Sequence, residues 1–445
     1  MFKIHTLGGY NEVGKNMTAA DFGDDIIVFD AGLYLPAVID LQESDRKPTP
    51  QLLESTGALP DDTFLRKNKD KVRAFLITHA HLDHVGAVHY IASRYPKAEI
   101  YGTPFTIEIL KSLMDDSKVF LKNKITAVEP DGSVEIKGAK QTYKADFVNM
   151  THSTIQSTMI ALHSKQGIVV YCNDYKLDNS PVMGNPPNYQ KMRELAKKGV
   201  KALIVDSLYS KDERKTHSEK IARAMVEEVL LTVDHGNHAI IISTFSSHIA
   251  RLKSIVDFSK KLDRQVIFVG RSLIKYINAA KKIGQCPFDK DIKMASYTNQ
   301  LKSVLKQIDQ NRGKYILVCT GHQAEPGSIL DRLCANKLPF SFKPMDSVIF
   351  SSKVIPVPVN QANRAAMDKK LRMKDVRIFD NVHVSGHGGR EDLRDLISIL
   401  KPQHIVPSHG GLDKTTPAME LAKEMGFKYD KTAHLCQDGS VVVIN

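Results

Sequence analysis

Three imidazoles and one carboxylate crowd into Thr78–His84, which reads THAHLDH. Imidazole and carboxylate groups are the ligands that zinc and neighbouring divalent cations take. The preceding run, Val72–Thr78 (VRAFLIT), is apolar and β-rich, so it reads as a buried strand. The cluster then stands at that strand's C-terminal edge, where open sheets place their sites. A helical HExxH sets two ligands on one helix face. Here the ligands alternate on an extended loop and run into the first turn of a helix. His79 and His81 are spaced to share one cation, and Asp83 and His84 to point at a second.

One segment cannot complete two sites, so later ligands are required. His152 precedes the hydroxyl-rich turn STIQST and is the expected third ligand of the first cation. Asp174 ends the strand in YCND, where a carboxylate can bridge two cations held roughly 3.5–4 Å apart. His409, in IVPSHGG, ends the last expected strand and completes the second. A single strand-end histidine is more often structural. The weight lies in polar-after-apolar placement recurring along the chain. Asp30, closing DIIVFD, shares it and reads as a carboxylate that orients the THAHLDH loop rather than a ligand.

The elements that must carry these residues are legible as alternating runs. Strands are expected at Asp25–Asp30, Val72–Thr78, Ile168–Cys172 and Ala202–Val205, with a helix at Val85–Tyr95. From about Asp206 a βα repeat sets in, characteristic of a parallel sheet. Its helices are Ser218–Leu231 and Ser247–Lys260, and its strands Ala239–Ser243, Gln265–Val269 and Tyr315–Cys319. A strand at Asn381–Ser385, a helix at Arg390–Leu400 and a strand at His404–Pro407 follow. An α/β domain is therefore expected to interrupt a first α/β domain, which resumes near residue 360.

Composition narrows the class. The 445 residues are too many for one ordinary core, and 42% hydrophobic with 25% charged is a globular balance. No window approaches the ~18–20 apolar residues of a membrane helix, and the N-terminus has no signal-peptide pattern. Five scattered cysteines without a CxxC argue against a disulfide framework and for a reducing cytoplasm. The net charge of +12 favours a polyanionic partner, a solvated surface being the plainer reading.

These residues carry a resemblance. THAHLDH resembles the HxHxDH motif of the metallo-β-lactamase superfamily, and Asp30, His152 and Asp174 match its other ordered motifs. The inserted βα domain, with Asp206 in LIVDS, His387 in HVSGHGG and His409 in VPSHGG, is similar to that of the β-CASP nucleases. The opening LGGYNEVGKNM, TFSSHIAR (Thr244–Arg251), Gly270-Arg271-Ser272 and TGHQAEPGS (Thr320–Ser328) resemble the ribonuclease J family, and the length its archaeal form. The resemblance implies an αββα metallo-β-lactamase sandwich over 1–205, an inserted β-CASP α/β domain over 206–360, and the sandwich's return over 361–445. The C-terminal domain of bacterial relatives and the KH domains of archaeal cleavage-factor relatives are not expected. Three places depart from the family. His322 and Ala324 stand where it commonly has TGSQGEP, His248 where it commonly has Asn, and PVPVN (Pro356–Asn360) where a glycine-rich turn is usual.

The implied activity is hydrolysis of RNA phosphodiesters with two divalent cations, zinc first and manganese as the alternative. The implied action is 5′→3′ from monophosphate ends, with endonuclease action as a further expectation. His79, His81 and His152 are assigned to one cation, Asp83, His84 and His409 to the other, and Asp174 to both. His387 is the group expected at the scissile phosphate or leaving oxygen, with Asp206 fixing its tautomer. The alternative for His387 is a structural histidine in a glycine turn. Backbone N–H groups of His383, Val384, Ser385 and Gly386 offer a phosphate cradle. Ser246, Ser247 and His248 at a helix start offer another, an ordinary N-cap being nearly as good a reading. The resemblance joins both segments, with His387, into a 5′-monophosphate pocket. Arg251, Lys253, Arg271 and Lys275 are candidates for lining an RNA channel, or simply a solvated face. Single-stranded RNA is the expected partner, a homodimer a further expectation, and a membrane is not. The competing functions are a DNA-directed β-CASP nuclease, a small-ester or thioester hydrolase, and a non-catalytic RNA-binding component.

Overall fold

The computed structural model describes residues 1–43, 49–295, 298–355 and 358–445. The chain forms two compact units: Met1–Asn179 with Gly184–Thr216 and Gly386–Asn445, and Ser180–Met183 with His217–Ser385. The insertion therefore begins after Thr216 and returns at Gly386, later at both ends than the sequence suggested. The reason lies in pairing. Val200–Asp206 lies between Gly167–Cys172 and His404–Ser408 in one sheet, and past it the Ser207 N–H donates to Ser408 O, Ser210 Oγ to Lys414 O and the Thr216 N–H to Asp392 Oδ2, so the chain leaves the first unit only after Thr216.

Among the described residues the first unit holds two sheets. One is seven-stranded, in the spatial order Val441–Ile444, Phe2–Gly8, Met17–Asp21, Ile26–Phe29, Val72–Ile77, Glu99–Gly102, Ile125–Ala127. The other is six-stranded, in the order His404–Ser408, Val200–Asp206, Gly167–Cys172, Thr158–Ser164, Thr142–Asn149, Ser133–Lys137. Their facing sides share one apolar core, in which Phe29 of the first sheet stacks on Tyr171 of the second at 5.1 Å. The outer face of the second sheet buries Met192, Leu195, Leu396, Ile397 and Leu421 of the helices Tyr189–Lys198, Arg390–Leu400 and Leu412–Glu424. Pro104–Ser117 is the longest helix that follows strands of the first sheet, and it buries Phe105, Ile109 and Leu110. This is the αββα sandwich expected. The expected helix at Val85–Tyr95 is instead two short ones, Leu82–Val85 and Val88–Ala92, with Gly86 between them.

The second unit carries an all-parallel six-stranded sheet, ordered Ile292–Ala295, Gln265–Val269, Tyr315–Cys319, Ile240–Thr244, Ser347–Ser351, Arg377–Phe379. The strand expected at Asn381–Ser385, in the resumed first domain, does not form, and that segment belongs to the second unit. The chain pairs at Arg377–Phe379 and stops, because Asn381 takes φ 57°, which ends an extended run. Arg251 is not a channel residue. It is fully buried, gripping Glu219 through Nε (2.6 Å) and Nη2 (2.8 Å) and donating from Nη1 to Ser351 O (3.0 Å) and Val382 O (3.2 Å). A guanidinium can be buried only with such pairing. Lys253 is held by Asp257, whereas Arg271 is exposed.

Two departures from the family have a structural reading here. Ala324 adopts φ 57°, a left-handed conformation that suits the glycine commonly found there. The strain of about 1 kcal/mol is offset by burying its methyl in the second unit's core, worth about 0.8 kcal/mol. Of PVPVN, Pro356 and Val357 lie outside the described residues, and Pro358–Asn360 open the helix Pro358–Arg372.

Candidate metal centre

Every expected ligand, and with them the orienting carboxylates Asp30 and Asp206, stands at or beyond the C-terminal end of a strand in the first unit. Asp30 follows Ile26–Phe29, Thr78–His84 follows Val72–Ile77, and His152 lies shortly after Thr142–Asn149. Asp174 lies just past Gly167–Cys172, Asp206 ends its strand, and His409 follows His404–Ser408. Asp30, Asp174 and His409 all take left-handed φ, of 55°, 57° and 62°. Aspartate and histidine tolerate that region better than most residues. The turn swings each side chain off the strand and into the site.

Two groups of side chains converge, and Asp174 belongs to both. His79, His81, His152 and Asp174 can each present one atom within 4.8 Å of the others, as can Asp83, His84, Asp174 and His409. Asp174 Oδ2 lies 3.5 Å from His79 Nε2 and 3.4 Å from His152 Nε2. Its Oδ1 lies 3.1 Å from His84 Nε2 and 3.5 Å from His409 Nδ1. The ring nitrogens in the first group face one another, with His81 Nδ1 3.2 Å from His79 Nε2 and 3.0 Å from His152 Nε2.

The tautomers are set from behind. His152 Nδ1 donates to Gly386 O at 2.6 Å, so its Nε2 faces the group. A Cβ on Gly386 would stand 2.7 Å from Ser153 Oγ and 3.0 Å from the His152 ring, so glycine is needed for that approach. His84 Nδ1 donates to Asp30 Oδ2 at 2.7 Å, and Asp30 Oδ1 accepts from the Thr78 N–H at 2.8 Å. Asp30 thus ties the His84 ring to the Thr78 backbone. Gly32 allows the loop to lie against it, since a Cβ there would overlap Asp83 O.

Protonation follows burial and charge. Burial pushes His81 and His152 well below the usual histidine range, and lowers His79. These rings are neutral at pH 7, with lone pairs to give. Burial opposes charge on His84 too, but Asp174, Asp83 and Asp30 outweigh it and hold that ring well above the usual range. Burial would raise Asp174, yet His409, His84 and His387 keep it well below the usual carboxylate range.

The donor set fits divalent cations. Asp174 Oδ1 is buried with only the 3.1 Å approach of His84 Nε2 and no well-aligned hydrogen bond, and three neutral imidazole nitrogens crowd together with too few protons to satisfy one another. A divalent cation held among these groups would relieve both defects, and binding one would call for His84 to give up its proton.

His387 stands beside these groups. Its Nδ1 is 2.7 Å from Asp206 Oδ2, and its Nε2 is 3.9 Å from Asp174 Oδ2. Burial works against its charged form, but Asp206 and Asp174 push it up to about 9. Its ring stacks on His409 at 5.4 Å, and Asp206, His387 and His409 form a third possible ligand group.

Sequence reasoning missed Asn16. It is buried, with Nδ2 3.1 Å from Asp83 O and 3.0 Å from His84 Nε2, and Oδ1 3.0 Å from His409 Nδ1. Its signal was its place in LGGYNEVGKNM, a stretch noticed only as a whole.

The residues expected to hold a 5′-phosphate are divided by the fold. Ser246, Ser247, His248, His383, Val384 and Ser385 belong to the second unit, Gly386 and His387 to the first. Ser246 Oγ bonds Ser272 Oγ at 2.9 Å, and His248 turns inward, 3.3 Å from Glu219. His248, not a serine, is the N-cap residue of Ile249–Lys261, and it makes no side-chain cap bond.

Similar proteins bear on this geometry. Residues 11–180 match the metallo-beta-lactamase superfamily, 237–368 the beta-CASP domain of ribonuclease J, and 373–433 the Zn-dependent metallo-hydrolase RNA specificity domain. A Pyrococcus abyssi protein named ribonuclease J is 41% identical, covering 100% of this chain and 97% of that one. A Methanocaldococcus jannaschii protein of the same name is 37% identical over 98% and 97%. A Helicobacter pylori ribonuclease J is 30% identical over 99% of this chain but 60% of its own length. A crystal structure of a protein of unknown function from Enterococcus faecalis V583 shares the fold over 100% of both chains, with a TM-score of 0.63 at 16% identity. By sequence along its full length, and in keeping with its three domain matches, the chain belongs to the ribonuclease J family.

Proposed function

We propose that the chain is a ribonuclease that hydrolyses RNA phosphodiesters with two divalent cations, zinc first, working 5′→3′ from monophosphate ends. The observation that carries the two-cation reading is Asp174, whose two oxygens each face a different histidine set. His79, His81 and His152 would hold one cation, Asp83, His84 and His409 the other. Such cations supply Lewis acidity to the phosphate oxygens and acidify water.

The chain's own residues do the rest. Asp206 holds the Nδ1 proton of His387, which leaves Nε2 as the atom that carries a proton to the leaving oxygen. Asp30 keeps His84 in the tautomer whose Nε2 faces Asp174. Asn16 braces His84, His409 and the Asp83 backbone together. Groups that orient ligands typically contribute 10–100-fold to metal affinity. Asn16→Ala is therefore expected to lose metal about 10–100-fold more readily on titration with a chelator. Unchanged metal content at every chelator concentration removes Asn16 from the site.

The net charge of +12 and the RNA specificity domain match at 373–433 support a polyanionic strand as substrate. Ser246, Ser247, His383, Val384 and Ser385 remain our candidates for holding its terminal phosphate. The test is a time course on end-labelled RNA bearing 5′-monophosphate, triphosphate or hydroxyl, beside a circular form. Mononucleotides released fastest from the monophosphate form are expected. Circular RNA cut as quickly removes the exonuclease reading, and RNA left intact with divalent cations present removes the ribonuclease reading.

A further inference from the structure

We infer that the crevice at the carboxyl edge of the second unit's sheet takes a nucleobase of the RNA strand, stacked on Phe245 and contacted by His322. The inference rests on the ribonuclease reading and adds a base-reading element to it.

The crevice follows from topology. Ile240–Thr244 and Tyr315–Cys319 are paired neighbours in the parallel sheet. From the first, the chain goes on to Gln265–Val269, on one side. From the second, it goes on to Ser347–Ser351, on the other. The two connections cross past each other, and right-handed crossovers that run in opposite senses lie on opposite faces of the sheet, so a cleft is expected between the two strand ends, where open α/β sheets bind ligands. Phe245 directly follows one strand, and His322 lies just beyond the other.

Their side chains meet at that point. The rings of Phe245 and His322 lie 4.3 Å apart at 63°, and His383 adds a third ring 5.8 Å from Phe245. All three are half-buried. Stacking of a base on an aromatic ring is worth about 1–3 kcal/mol and tolerates any base.

Hydrogen-bonding capacity is left over at the same place. His322 Nδ1 is shielded from solvent and has no hydrogen-bond partner among the described residues, and Glu325 Oε2, in the same turn, is alike. Buried polar atoms are rarely left so, and each such atom calls for an explanation. Burial lowers His322 below the usual histidine range, so the ring is neutral at pH 7 and Nδ1 can accept. Two acceptors suit a base with an exocyclic amine, adenine, cytosine or guanine, better than uracil.

The same features disfavour a phosphate. Arg364, whose Nη1 lies 3.5 Å from His322 O, is committed to Asp368 (2.8 Å) and Asp380 (3.2 Å). A neutral imidazole, a phenyl face and a carboxylate offer an anion nothing. The serine common in the family at this position has no ring, so the contact belongs to this chain's own His322.

Binding of phosphorothioate-linked oligo(A), oligo(C) and oligo(U) to the intact metal-loaded protein, read by fluorescence anisotropy, decides the matter. Wild type should bind oligo(A) and oligo(C) several-fold more tightly than oligo(U). His322→Ser should erase that preference, and Phe245→Ala should weaken all three about tenfold. Phe245→Tyr, which keeps the ring, should bind as wild type, and this holds the test open if the alanine variant does not fold. His322→Ser binding every oligonucleotide as wild type does overturns the inference. So does free AMP competing as well as the strand. RNA degraded by a wild type that shows no base preference sinks this inference alone, whereas failure to bind or degrade any RNA sinks the ribonuclease reading beneath it.

Discussion

Asp83→Ala combined with His84→Ala is expected to abolish RNA hydrolysis and to remove roughly half of the bound metal, if two cations share the centre. The expectation follows from which atoms face Asp174. His84 Nε2 is 3.1 Å from Asp174 Oδ1, and Asp83 and His409 complete that side. Without them the second group keeps only Asp174 and His409. Lewis-acid stabilisation is worth several kcal/mol, so the rate should fall by at least about 10³-fold. The first group, His79, His81 and His152, is untouched and should still hold metal. The fold should survive at reduced stability. Asp30 loses its bond from His84 Nδ1 but keeps those from Thr78, and one unsatisfied buried contact costs about 1–3 kcal/mol. Metal analysis, circular dichroism and turnover are measured together. A folded, metal-depleted double variant with wild-type turnover overturns the two-cation mechanism.

His387→Ala is expected to keep its metal, bind RNA nearly as wild type and lose about 10²–10⁴-fold in single-turnover rate, or about 3–5 kcal/mol. The seven other ligand residues fill both groups without it. Its Nδ1 is engaged by Asp206, so what it offers a substrate is the proton on Nε2. A group that acts only in the transition state changes rate more than ground-state affinity. His387 is pushed up to about 9 with no cation beside it. Bound cations repel an imidazolium and move that value down. The protonated form does the work, so activity should fall as pH rises through a midpoint at or below about 9, and His387→Gln should lose that limb. His409→Ala, by contrast, should lose activity together with metal, because His409 lies 3.5 Å from Asp174 Oδ1. The rings of His387 and His409 stack at 5.4 Å, and both join Asp206 in the third ligand group, so the two could be confused on geometry alone. A metal-depleted His387 variant beside a fully loaded His409 variant reverses the assignment.

The sequence by itself determined the candidate ligands, because metal sites need specific side chains at strand ends, and strand ends are legible. THAHLDH, Asp30, His152, Asp174 and His409 each stand where an apolar run gives way to a polar residue, and the structure brings them all into one unit. The parallel sheet of the insertion was legible for the same reason, since continuous apolar runs such as Gln265–Val269 and Tyr315–Cys319 keep their boundaries whatever packs on them. Tertiary structure decided what depends on contacts between distant segments. Residues 207–216 stay with the first unit because Ser210 Oγ donates to Lys414 O and the Thr216 N–H to Asp392 Oδ2, 204 and 176 residues away, and no local pattern announces those bonds. Arg251 sits on a helix that looks cationic in sequence, but its partners Glu219, Ser351 and Val382 come from three other segments and turn it inward. Asn16 is an ordinary polar residue until the fold sets His84 and His409 on either side of it. Side-chain identity limits which ligands a chain can offer, but only long-range packing, which fixes direction and distance, decides which of them meet.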